Sequence, residues 1–122
     1  MKRVFLLAFA LTSLGTASAS AHTVLLSSNP RAGSVVKFVP SIFNLKFTDP
    51  LLTLGNRPIN KVVLTAPNNS SVALGPVVVH GAVISAQLLR PQTFKGRYKV
   101  SYRVSAEDGH IVVGLFTFKL QN

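Results

Sequence analysis

The stretch RYKVSYRV, residues 97–104, alternates without interruption: Tyr98, Val100, Tyr102 and Val104 fall on one side of an extended chain, and Arg97, Lys99, Ser101 and Arg103 on the other. A period of two belongs to a strand with one dry face and one wet face. The same alternation runs through IFNLKF (Phe43, Leu45, Phe47) and through GLFTFKL, where Phe116, Phe118 and Leu120 oppose Leu115, Thr117 and Lys119. Weaker strand segments are expected at residues 23–27, 61–65, 72–74, 77–84 and 85–88. Between them lie NPRAG, DP, GNRP, APNNS, GP and RPQTFKG, all turn-forming chemistry. No stretch shows a helical period. About seven short strands at this spacing predict an all-β domain, either a two-sheet β-sandwich or a small Greek-key barrel.

The first 21 residues stand apart from that pattern. Met1-Lys2-Arg3 precedes an apolar run from Val4 to Leu14, and small residues follow up to Ala19-Ser20-Ala21. That is the layout of a cleavable secretory signal peptide. A run of eleven positions, two of them the polar Thr12 and Ser13, falls short of the roughly 20 apolar residues a membrane span needs. The expected organisation is a signal peptide over 1–21 and a single domain over 22–122. Taking 21 residues from the 122 leaves 101, enough for one modest core.

Composition narrows the chemistry. The chain has no cysteine, so it has no disulfide partner and no thiolate to act as nucleophile or ligand. Its one methionine, Met1, would leave with the signal peptide. The net charge of +10 becomes +8 without Lys2 and Arg3, which suits either a solvated basic surface or an anionic partner. Export excludes nucleic acid as that partner. On one strand Arg97, Lys99 and Arg103 line the wet face, where they serve solubility or dock a membrane partner. Only three carboxylates exist, Asp49, Glu107 and Asp108, and two of them are adjacent.

Those two lie in AEDGHIVVG, in which Gly109 separates Asp108 from His110 just before the last strand. In extended backbone, residues i and i+2 project to one side, so a carboxylate oxygen and an imidazole nitrogen would face one point. Gly109 also permits a turn. Taken alone, Asp-x-His reads better as an Asx turn opening a strand than as a ligand pair. At the other end, His22 would become the first residue after cleavage and offer an α-amine together with its imidazole. With Asp108 and His110 the set holds three nitrogens and one oxygen. In a tetragonal arrangement such donors suit Cu(II), or less selectively Ni(II), whereas zinc prefers a tetrahedron. His80, in VVVHGAV, reads as a structural or exposed residue of an apolar strand.

Three segments together resemble the CopC family of periplasmic copper-binding proteins, including its YobA-like members: HTVLLSSNPRAGS, PSIFNLKFTD and GRYKVSYRVSAEDGHIVVGLFTFKL. The resemblance spans essentially all of residues 22–122. It implies a seven-stranded Greek-key sandwich of immunoglobulin-like kind. It also implies a site for one Cu(II) per mature chain, held by the amine and side chain of His22, with Asp108 and His110 completing the plane. Asp49 falls where the family carries a carboxylate near this site, usually Glu, and is an outer or weak ligand. The Met-rich Cu(I) site of some members has no counterpart here. Thr23, Glu107 and Ile111 also depart from the residues common in the family. The implied role is non-catalytic copper carriage or buffering in the periplasm, with an inner-membrane, CopD-like transport protein as partner. Two other classes remain open: a small histidine-brace copper monooxygenase, and a structural immunoglobulin-like module without metal.

Overall fold

Alternating strands can bury their apolar sides only by stacking one sheet on another. In a computed structural model of the protein, which describes residues 22–122, nine strands do this and no helix forms. They are β1 (Leu25–Asn29), β2 (Val35–Val36), β3 (Ile42–Phe47), β4 (Lys61–Thr65), β5 (Ser71–Val72), β6 (Val78–His80), β7 (Val83–Gln87), β8 (Gly96–Ser105) and β9 (Ile111–Leu120). One sheet has the order β1-β3-β7-β6, the other β2-β9-β8-β4-β5. All pairings are antiparallel except β2 with β9. The expected signal peptide, 1–21, lies outside the described residues.

The alternation of the sequence becomes the core. Phe43, Leu45 and Phe47 of β3 and Ile84 of β7 face Leu64 of β4, Tyr98, Val100 and Val104 of β8, and Phe116, Phe118 and Leu120 of β9. Each such buried aliphatic or aromatic side chain contributes about 1.5–3 kcal/mol relative to exposure. Phe43 meets Phe118 across the sheets with ring centroids 6.0 Å apart, and Phe47 meets Tyr102 edge-on at 5.4 Å. The Tyr98 ring stacks on Phe118 at 5.3 Å, and its hydroxyl donates to the Phe94 carbonyl at 2.6 Å. That bond ties the loop before β8 to its own strand, as a tyrosine corner does. Burial pushes the phenols of Tyr98 and Tyr102 up.

Two strand expectations change. Residues 77–84 do not form one strand, because Gly81 takes φ of +59° and turns the chain between His80 and Val83. A two-residue hairpin loop favours a residue that tolerates positive φ, so the segment divides into β6 and β7, and β7 absorbs the separate strand expected at 85–88. The one strand outside the expected segments is β2, two residues long and too short to show a period, while β5 overlaps the strand expected at 72–74.

Candidate metal centre

The β8–β9 hairpin is the longest pairing in the molecule, and its turn carries the sequence Glu107-Asp108-Gly109-His110. The Gly109 amide donates to the Ala106 carbonyl at 2.9 Å, the Ala106 amide donates to the His110 carbonyl at 2.8 Å, and Gly109 has φ of +88°. This is a tight turn closed by a residue in the left-handed region, a conformation glycine adopts without a Cβ penalty. The Asx turn read from Asp-x-His is thus present, with Asp108 Oδ1 accepting the amide two residues on, and the extended backbone considered beside it is absent. The two side chains meet for another reason: the turn folds the carboxylate back over His110.

Both Asp108 oxygens are used. Oδ1 accepts the His110 amide at 3.0 Å, and Oδ2 lies 2.7 Å from His110 Nδ1. Hydrogen bonding from the His110 backbone, and next from its side chain, lowers the Asp108 carboxyl below its ordinary value. The pair stands open to solvent, with side-chain exposures of 78% for His110 and 59% for Asp108. An ion could reach it without displacing the fold. The 2.7 Å between Oδ2 and Nδ1 is a hydrogen-bond distance, and an ion held through both atoms would replace the proton between them.

The N-terminal segment reaches the same corner through Asp49. Thr23 and Thr48 each donate a hydroxyl to Asp49 Oδ2 at 2.9 Å, and the Val24 amide donates to the Thr48 hydroxyl at 3.0 Å. The segment following Asp49 bonds to the hairpin end: the Leu52 amide donates to the Ser105 carbonyl at 2.8 Å, and the Glu107 amide to the Pro50 carbonyl at 3.2 Å. Asn60 braces this join, accepting the Ser105 amide and donating to the Leu52 carbonyl.

Between these parts lies a cavity of about 190 Å³ lined by Thr23, Asp49, Pro50, Ala106, Glu107 and Asp108. Every carboxylate of the sequence is on its wall. Negative charge gathered at one concave spot of an otherwise basic molecule attracts cations there.

His22 is exposed and immediately precedes Thr23 of this cavity. Among the described residues, no three His, Cys, Asp or Glu side chains converge as a metal-holding group. In the full sequence the His22 nitrogen belongs to the peptide bond from Ala21, so the α-amine expected as a ligand depends on cleavage at that bond. The hydroxyls of Thr23 and Thr48 were not anticipated as part of the corner; a Thr before the acid in FTD was the only hint. His80 sits at the exposed end of β6 in the other sheet, in line with its reading as a structural or exposed residue.

The sequence profile of the CopC domain matches residues 25–121. The chain belongs to the CopC family. Copper resistance protein C of Pseudomonas syringae pv. tomato is 32% identical over 122 residues, covering 96% of this chain and 94% of that protein. The crystal structure of CopC from Methylosinus trichosporium OB3b superposes with a TM-score of 0.69 at 23% identity, over 82% of this chain and 94% of that one. The crystal structure of PcoC, a methionine-rich copper resistance protein from Escherichia coli, gives 0.67 at 27% identity, over 83% and 100%. The CopC-type sandwich expected from the sequence is thus the fold observed. This CopC chain differs from the methionine-rich protein in having Met1 as its only methionine.

Proposed function

We propose that the protein is a periplasmic Cu(II) carrier or buffer, non-catalytic, whose site is completed when cleavage after Ala21 frees the His22 amine. The observation that carries this reading is the Asp108–His110 pair, spaced at 2.7 Å and set beside the cavity that takes both Thr23 and all three carboxylates. The His22 amine and imidazole, Asp108 and His110 then supply three nitrogens and one oxygen, a set suited to one Cu(II) in a plane. Asp49 serves the site from outside, by holding Thr23 and hence the position of His22. The names of the relatives, all copper resistance or CopC proteins, support copper as the cargo. An inner-membrane copper transport protein is the natural recipient.

A carrier fits the donor set better than a histidine-brace oxygenase. Asp108 takes a position that oxygen chemistry needs open, and the chain has no Trp for a sugar-binding face.

The decisive experiment is Cu(II) titration of the processed protein, its N terminus verified by mass spectrometry, against a variant with one alanine added before His22. Displacing the amine–imidazole chelate should weaken binding by about tenfold to a hundredfold. Equal affinity for both forms would sink the site, and sustained ascorbate-driven peroxide production by the copper-loaded protein would overturn the carrier reading.

A further inference from the structure

The outer face of an antiparallel sheet usually turns polar residues to water. The outer face of the β9-β8-β4 layer mixes exposed aliphatic residues among its polar ones. Its register is fixed row by row: Lys61 beside Arg103 beside Val113, then Val63 beside Ser101 beside Leu115, then Thr65 beside Lys99 beside Thr117, and finally Arg97 beside Lys119. Val113 and Leu115 are 72% and 62% exposed, and Val63 and Ile111 also stand in solvent. Small Ser101 leaves an open groove of about 530 Å³ between Val63, Leu115, Val113 and the stems of Lys61 and Arg103. Five cations, Lys61, Arg97, Lys99, Arg103 and Lys119, share these rows, all of them exposed.

No carboxylate answers them. The three acids of the chain line the cavity at the hairpin turn instead. A second copy of the chain laid on this face would oppose cations with cations, so self-association does not cover it. The complementary partner is anionic, and it must also accept aliphatic side chains lying between the charges. Long Lys and Arg stems carry their heads to phosphates while Val and Leu settle below them. We propose that this sheet face docks the protein on the surface of an anionic phospholipid membrane. The apolar stripe begins at Ile111, the residue after His110, so docking sets the Asp108–His110 corner at the edge of the contact.

The test is co-sedimentation of the purified protein, without copper, with vesicles of phosphatidylglycerol and phosphatidylcholine in equal parts, compared with phosphatidylcholine alone. Binding should require the anionic lipid and weaken as salt shortens the screening length. The double variant Lys99→Glu/Arg103→Glu should bind at least about 25-fold more weakly, from roughly fivefold for each cation lost. Val113→Ser/Leu115→Ser should lower binding while leaving its salt dependence in place. Lys46→Glu/Arg57→Glu makes the same change in net charge away from these rows, and should retain most of the binding. Equal loss in the two charge-reversal variants would mean attraction by net charge alone and overturn the proposal. So would wild-type protein captured by polyglutamate but not by the anionic vesicles, which would assign the face to an acidic protein.

Discussion

At the residue scale, the Asx turn at Asp108 was legible from the Asp-Gly-His motif, while the close approach of Oδ2 to the His110 ring was not. Asp-Gly-His in sequence gives chemistry and spacing; that approach depends on pairing between β8 and β9, a contact between segments rather than within one. The structure places both Asp108 oxygens on His110, so the carboxylate has a structural use as well as its proposed use as a ligand. Asp108→Asn separates them. An amide oxygen can still accept the His110 amide, and stability to urea should change by less than about 0.5 kcal/mol. Cu(II) affinity should nevertheless fall at least about tenfold, because the anionic donor is gone. Acidification tests the rest of the set. A carboxyl with a lowered folded value stays ionised down through mild acid, and its contribution to the turn is lost only as the pH falls below the ordinary carboxylate range. Weakening of copper binding between pH 7 and pH 5 must then come from protons competing with the ion for nitrogen donors. Affinity unchanged over that interval would require a ligand set without them.

At the element scale, β3 was legible to the residue because its apolar positions alternate over the full strand, and β4 because its short apolar run is bounded on both sides by turn residues. β2 was not, since it gains its identity only by lying parallel to the end of β9. The break between β6 and β7 hung on one glycine in an otherwise apolar run. Another glycine matters through its neighbour. Gly114 of β9 pairs with Tyr102 of β8, and a Cβ at Gly114 would overlap the Tyr102 ring and hydroxyl. The ring cannot retreat freely, because its other side meets Phe47 edge-on. Gly114→Ala should therefore destabilise the fold by about 1–3 kcal/mol, the range of overpacked core substitutions. Gly75→Ala is the matched control: its Cβ would meet Leu89 and Gln87 no closer than 3.5 Å, an ordinary contact. Urea melts of both variants decide the matter. A Gly114→Ala midpoint equal to that of the parent would mean that Tyr102 moves without cost.

At the scale of the whole molecule, the two-sheet architecture was legible because alternation plus turn spacing leaves few other ways to bury so many Phe, Leu and Val side chains. The sheet order was not, because single-chain patterns carry no record of which strand lies beside which. That order is what makes the proposed site possible. The start of the described chain is fastened to Asp49 through Thr23, the stretch after Asp49 is bonded to the end of the β8–β9 hairpin, and so segments far apart in sequence border one cavity. An ion held jointly by His22 and by the hairpin turn would close that connection a second time. Unfolding would then have to release the ion as well as the core. At free copper a hundredfold above the dissociation constant, binding to the folded state alone adds about 2.7 kcal/mol. For a domain of this size that raises Tm by about 10 °C or more. The increment should vanish on chelation. It should be much smaller in the chain that retains Ala21, where the amine is a peptide nitrogen and only the Asp108–His110 pair is preformed. Calorimetric scans of the two forms with and without Cu(II) measure the difference, and equal increments would show that the start of the chain takes no part in holding the ion.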